Sequence, residues 1–182
     1  MSYYSSNGVD AYIEPLLPEV GFACDVGAND GKMFSNSLCF EEKGWTVICV
    51  EPNPLLVEEG SSVRKLWRQV ACGSEDGVAT FYASGGHPYA SDSSIDLGRG
   101  QPFEVQVLRL DRVLEEAGFR RLDYLTVDVE SWEPQVMAGF TLERWRPKII
   151  VLESWKDDLA TPEGYTRLGR KEFDNIYQRI GT

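Results

Sequence analysis

The chain has no apolar stretch approaching the roughly 20 residues that a membrane-spanning helix needs. Its first residues, Met1-Ser2-Tyr3-Tyr4-Ser5-Ser6-Asn7-Gly8, have neither the basic start nor the apolar centre of a secretory signal. Positive charge is scarce. Eighteen Lys and Arg stand against 29 Asp and Glu, a net charge of −11. Such a surface repels a polyanion, and the nearest thing to a basic stripe, Arg109 to Arg121, is a mixed-charge stretch that reads as a solvated helix face. Nucleic acid is therefore not an expected partner. Cysteine is sparse as well: Cys24, Cys39, Cys49 and Cys72 show no C-x-x-C spacing for zinc or redox chemistry. Three of them sit in apolar runs, which fits buried free thiols in a reducing compartment. The expectation is a soluble protein with no membrane span, at work in the cytoplasm.

What is present suffices for a single domain over residues 1–182. At 42% apolar, the chain is too hydrophobic to be disordered. A chain of this length buries about 70% of its unfolded surface on folding. Short apolar runs bounded by turn residues read as strands at Gly21–Val26, Trp45–Val50, Gln69–Cys72, Val78–Ala83, Leu122–Val129, Lys148–Glu153 and Asp174–Ile180. Helical patterns fill Lys32–Lys43, Pro54–Leu66, Leu110–Gly118 and Glu133–Trp145 between them. This alternation predicts an α/β fold with a mostly parallel sheet covered on both faces, doubly wound and Rossmann-like. Residues 1–19 form a lead-in segment. Residues 84–102, SGGHPYASDSSIDLGRGQP, lack any period and read as a long lid-like loop. After Trp155 too few residues remain for a full set of closing strands, so the carboxyl end is expected to be atypical.

The turn after the first strand reads Asp25-Val26-Gly27-Ala28-Asn29-Asp30-Gly31. Its glycines permit a sharp turn and close approach to a ligand, at the strand end where such sheets bind theirs. Glu51 follows twenty residues beyond Gly31, at the end of the second strand, where an acid can accept hydrogen bonds from a ribose diol. A purely structural turn is the competing explanation. The middle glycine of G-x-G-x-x-G is missing, and two carboxylates, Asp25 and Asp30, flank the turn where a dinucleotide would place its phosphates. Like charges at that range cost several kcal/mol. S-adenosylmethionine carries an ammonium and a sulfonium and no phosphate, so an acid-rich turn suits it better than NAD.

The runs DVGANDG, EPNP (Glu51–Pro54), VACG (Val70–Gly73) and YLTVDVESWEPQVMAGF (Tyr124–Phe140) together resemble the FkbM-type methyltransferases. The opening SSNGVDAYI resembles the segment before the first strand in part of that family, and the likeness extends from about Tyr4 to Trp155. The resemblance implies a class I methyltransferase sheet, S-adenosylmethionine as donor, and a hydroxyl of a sugar, glycan or related small molecule as acceptor. It further implies a cofactor loop of Asp25, Gly27, Asn29 and Gly31, a ribose acid in Glu51, and Ala71 beside the adenine. Asp128, Glu130 and Glu133 match the acids of the family pattern D-x-E-G-x-E, and Glu153 matches an acid often found at the next strand end. The pattern's glycine is Ser131 here, followed by the bulky Trp132, so the acceptor side is expected to be shaped differently.

The chemistry assigns further roles. Methyl transfer to an alcohol requires in-line alignment and removal of a proton. A well-placed base contributes about 10²–10⁴-fold. Asp128, closing an apolar strand at the crevice, is the first candidate, since desolvation there raises a carboxyl pKa; a helix cap is the alternative. Asp128, Glu130 and Glu153 could also converge on magnesium or manganese, although an acid cluster suits a cationic cofactor without any ion. His87, the one histidine, lies in the long loop as a second catalytic candidate, or simply a solvated side chain. Tyr89, Ser91, Asp92 and Ser94 beside it could bond to sugar hydroxyls. Trp132 and Trp155 follow the two acid-bearing strand ends and could face a pyranose, whereas Trp45 and Trp145 read as packing. Two rivals remain at this level: an NAD-dependent oxidoreductase on a similar sheet, and an inert binding module that keeps the fold.

Overall fold

A computed structural model describes residues 2–83, 95 and 101–181. His87, Tyr89, Ser91, Asp92 and Ser94 lie outside the described residues, as does most of the 84–102 segment. The chain begins with α1 (Val9–Ile13), a 3-10 turn (Glu14–Leu16), β1 (Phe22–Val26), α2 (Leu38–Glu42), β2 (Thr46–Val50) and α3 (Pro54–Gly60). It continues through β3 (Trp67–Arg68), β4 (Ala71–Cys72), β5 (Gly77–Ala83), β6 (Gln101–Leu108) and α4 (Leu110–Glu116). Then come β7 (Tyr124–Val127), α5 (Glu133–Ala138), α6 (Leu142–Trp145), β8 (Ile149–Glu153), β9 (Tyr165–Lys171) and β10 (Asp174–Arg179).

Seven strands form the main sheet in the order β3-β2-β1-β7-β8-β10-β9, parallel except for β10, which runs antiparallel to both its neighbours. A smaller sheet, β4-β6-β5, sits beside it. The apolar runs are continuous because the central strands are covered on both faces. Cys24, Val26, Leu125, Val127, Ile150 and Leu152 join the core under α4, α5 and α6. Ala23, Val47, Tyr124, Ile149 and Val151 face the core under α1 and α2. From β1 the chain winds outward to β2 and β3, then returns to β7 on the other side. That reversal opens a crevice between the carboxyl ends of β1 and β7.

Several expectations are corrected. The helix expected over Lys32–Lys43 shrinks to α2, because side chains capture the amides that a helix would use. Asp30 accepts from the amides of Lys32 (2.8 Å) and Met33 (2.7 Å), and Ser35 Oγ accepts from those of Ser37 (3.2 Å) and Leu38 (3.1 Å). The helix expected over Pro54–Leu66 ends at Gly60, which packs against the Trp67 ring, and Glu133–Trp145 divides into α5 and α6 around Gly139. Of the strand expected over Gln69–Cys72 only Ala71 and Cys72 form one, as β4, and β3 lies just before the expected span, at Trp67–Arg68. Strand β6 takes in Gln101 and Pro102, the last residues of the segment read as loop. The carboxyl end is not short of strands: β9 and β10 form a hairpin that completes the sheet. All four cysteines are free and buried. Among the described residues no helix is long and apolar enough to cross a membrane.

Candidate active site

The crevice between β1 and β7 is an open cleft whose empty space, counted out into the solvent at its mouth, is about 960 Å³. The turn after β1 forms its floor. Gly27 (φ 85°) donates its amide to the Val50 carbonyl at 2.9 Å, and a Cβ there would lie 1.7 Å from the Asp128 carbonyl oxygen. No other residue lets the ends of β1 and β7 approach so closely. Asn29 follows with φ 52°, and its amide donates to Glu51 Oε2 at 3.2 Å, while the Asn53 amide donates to Glu51 Oε1 at 2.9 Å. Burial pushes the Glu51 carboxyl up to about 7, against the lowering effect of those two amides. Asp25 is buried beneath the turn, and desolvation raises its pKa as well.

Of the sequence candidates, Asp25, Gly27, Asn29, Glu51, Ala71, Asp128 and Glu130 line the cleft together. Gly31 and Glu153 do not. Gly31 (φ 74°) is held by packing: a Cβ would lie 2.6 Å from Arg64 Cγ and 2.9 Å from the Trp67 ring. Glu153 ends β8 behind Asp128, and the two carboxyls share a hydrogen bond. Desolvation pushes Glu153 up to about 7 and drives Asp128 well above the usual carboxylate range, with the neighbouring Glu153 charge adding to the Asp128 shift. The two carboxyls lie close enough to titrate as one pair.

The cluster differs from the expected one. Asp128, Glu133 and Glu153 each offer a carboxylate oxygen within 4.8 Å of the others, and Glu130 is not in the group. Hard oxygens in that arrangement suit magnesium or manganese. Glu133 is already engaged: its Oε1 accepts from the Val129 amide at 3.0 Å, closing the turn into α5. Asp128 and Glu153 are thus the donors that would hold an ion. Between β7 and α5, Glu130 (φ 56°) and Ser131 (φ 77°) are consecutive left-handed residues. A glycine is the residue suited to that backbone. Trp132 lines the cleft, while Trp155 lies outside it, exposed and stacked on Phe173 at 4.0 Å. Trp45 and Trp145 are core residues.

A buried network under the turn escaped the sequence reading. Arg64 donates from Nε to Glu41 Oε2 (2.6 Å), from one terminal nitrogen to the Gly31 carbonyl (2.9 Å) and Ser35 Oγ (3.2 Å), and from the other to Ser37 Oγ (2.7 Å). Asn36 also lines the cleft and donates to Thr126 Oγ1 at 3.5 Å. The polar run Ser35-Asn36-Ser37 and the lone Thr126 in an apolar strand were the available signals.

A family model described as the methyltransferase FkbM domain matches residues 25–178, most of the chain. The chain belongs to the FkbM methyltransferase family. Its FkbM match begins at Asp25 of the turn and reaches Gln178, so it includes the closing hairpin as well as the cleft. A stretch of 80 residues is 34% identical to methyltransferase sdnD of Sordaria araneosa. That stretch covers 39% of this chain and 31% of the relative, less than a third of the relative's own length.

Proposed function

We propose that the chain is a single methyltransferase domain over residues 1–182. In this proposal it is an S-adenosylmethionine-dependent O-methyltransferase acting on a hydroxyl of a sugar, glycan or related small molecule. One observation carries the choice of donor. The charge-bearing residues among the described lining of the cleft are all carboxylic acids, namely Asp25, Glu51, Asp128 and Glu130. Phosphates of a dinucleotide would meet four carboxyls and no base, whereas a cationic cofactor is complemented. The reversal of strand order at β1 and β7, with helices on both faces, supports a doubly wound Rossmann-like sheet.

When bound, the cofactor supplies an electrophilic methyl group that needs no further activation. The chain's residues do the rest. Glu51, fixed by the amides of Asn29 and Asn53, accepts from the ribose diol, and Ala71 leaves room at the nucleoside end. Asp128 takes the proton of the acceptor hydroxyl as the bond to carbon forms, and its raised pKa suits that task. Glu153 behind it sets how readily Asp128 ionises. The absence of any described basic side chain in the lining favours a neutral, polyhydroxylated acceptor over a phosphorylated one.

Calorimetric titration with S-adenosylhomocysteine, with magnesium, with manganese and with chelator, is the direct test. Binding that ignores the metal supports the donor site and Asp128 as the base. Binding that requires the metal moves Asp128 and Glu153 into an ion site. No binding under any condition removes S-adenosylmethionine from the proposal.

A further inference from the structure

Arg64 is the best-satisfied buried charge near the cleft, and nothing in the methyl-transfer scheme uses it. Its side chain is 0% exposed. It lies beyond the end of α3, yet reaches three separate parts of the cofactor turn and its continuation: the Gly31 carbonyl, Ser35 and Ser37. Ser35 lines the cleft together with its neighbours Phe34 and Asn36. The segment from 31 to 37 has no regular helix of its own, so its shape is set by these bonds together with those that Asp30 and Ser35 accept from its amides.

The same guanidinium governs Asp25. Ser37 Oγ accepts from Arg64 and donates to Asp25 Oδ2, Ser35 Oγ lies 3.5 Å from that oxygen, and an Arg64 terminal nitrogen is 3.9 Å away. Each of these contacts falls on Oδ2, which leaves Oδ1 to the cleft that Asp25 lines. Glu41 is spent elsewhere, on Arg64 Nε and on the Lys65 amide at 2.9 Å. The buried group therefore holds one cation and two carboxylates. With both carboxyls ionised the group has one negative charge in surplus, on the acid that lines the cleft.

We propose that Arg64 is a positioning residue of the donor site, orienting Asp25 and the 31–37 segment so that the free Asp25 oxygen receives the aminoacyl ammonium of the S-adenosyl cofactor. This rests on the S-adenosylmethionine site proposed above. The guanidinium suits the task because its planar fork serves several acceptors at fixed angles, which a lysine ammonium does not. The nucleoside end, at Glu51 and Ala71, shares none of the hydrogen bonds that Arg64 makes.

Two probes separate positioning from bulk stability. S-adenosylhomocysteine carries the aminoacyl arm, and 5′-methylthioadenosine is the matching thioether without it. Both are titrated calorimetrically into wild type, Arg64→Lys, Arg64→Met and Ser37→Ala, with folding checked by circular dichroism. The Arg64 variants should weaken S-adenosylhomocysteine about tenfold or more, and Ser37→Ala by several-fold, while 5′-methylthioadenosine changes by less than about threefold. Parallel weakening of both probes, or no weakening of either, would overturn the proposal. If Arg64→Met does not fold, Arg64→Lys and Ser37→Ala decide by the same split. Wild type that binds neither probe refutes the donor site itself. A site that stands while its Arg64 assignment fails is recognised by wild-type binding with unselective variants.

Discussion

Ser131 shows how a single residue records the constraint at the cleft. With φ 77° it follows Glu130 at φ 56°, and two non-glycine residues in this region cost of order 1–3 kcal/mol each. Ser131 is exposed, and the bond that helps hold it comes from its backbone to the Glu133 carboxyl, which a glycine would keep, so its side chain does nothing to offset the strain. Ser131→Gly should therefore stabilise the fold by about 1 kcal/mol, less the entropy a glycine adds to the unfolded chain. Thermal denaturation should show a Tm higher by roughly 2–4 °C, and an unchanged or lower Tm would show the turn to be relaxed already. The Asp128–Glu153 pair belongs to the same scale. Two adjacent carboxyls cannot both ionise cheaply, and Glu153 sits at about 7. Glu153→Gln removes the like charge, which lowers the Asp128 pKa and should extend methyl transfer to lower pH. Asp128→Asn should cost about 10²–10⁴-fold in rate while S-adenosylhomocysteine affinity stays within a few-fold. A pH–rate profile that Glu153→Gln leaves in place would separate the two groups. The residues that lined up in sequence as acids at strand ends were legible because strand ends face the crevice. Arg64 was not, because its partners lie 23 to 33 residues away and no local pattern announces a buried cation.

Among the elements, the strands of the central sheet were legible because they are buried on both faces and so carry unbroken apolar runs. Strand β6 lies outside the apolar runs of the sequence, although Phe103, Val105 and Val107 face inward while Pro102, Glu104 and Gln106 are exposed. Its clean alternation is that of a half-wet strand, but its start was absorbed into the patternless loop. Strand β9 is an edge strand rich in Arg and Lys, whose charge protects the edge and hides the strand from a hydrophobic count. Helices were overestimated where side chains compete for backbone amides or where glycine permits close packing. Gly139 is the sharpest case, since it caps α5 with an ordinary φ of −88° yet a Cβ would lie 2.1 Å from the Gly73 carbonyl oxygen. By helix propensity alone Gly139→Ala should help. By packing it must push α5 away from the start of the β4–β5 connection, at a cost of about 1–3 kcal/mol. The Tm of Gly139→Ala should fall by roughly 3–10 °C, whereas Gly77→Ala, with no atom within 4 Å of its added Cβ, should leave it nearly unchanged. Equal effects at both positions would mean that the contact at Gly73 yields freely.

For the molecule as a whole, the buried acids in the cleft and behind it set the pH at which the empty fold is most stable. Asp25, Asp128, Glu133 and Asp174 all have raised pKa values through burial, and Glu51 and Glu153 reach about 7. A folded state that holds protons more tightly than the unfolded one is favoured below the unfolded pKa and loses that advantage as pH rises through the folded value. The net charge of −11 acts in the same direction, since self-repulsion grows as the acids ionise. Exposed pairs such as Arg112 with Asp76 and Glu116 work oppositely, but only at more acid pH and under full solvent screening. The ligand-free protein should therefore melt at a lower temperature at pH 8 than at pH 5.5, by roughly 5 °C. A Tm that is flat or rises over this window would show that the cleft carboxyls are already hydrated and ionised in the empty protein. A cationic ligand reverses the balance, because the carboxyls it meets must be charged to hold it. S-adenosylmethionine, with its sulfonium and ammonium, at a fixed saturating concentration should consequently raise Tm more at pH 8 than at pH 5.5, so that the two melting curves converge once the cleft is filled.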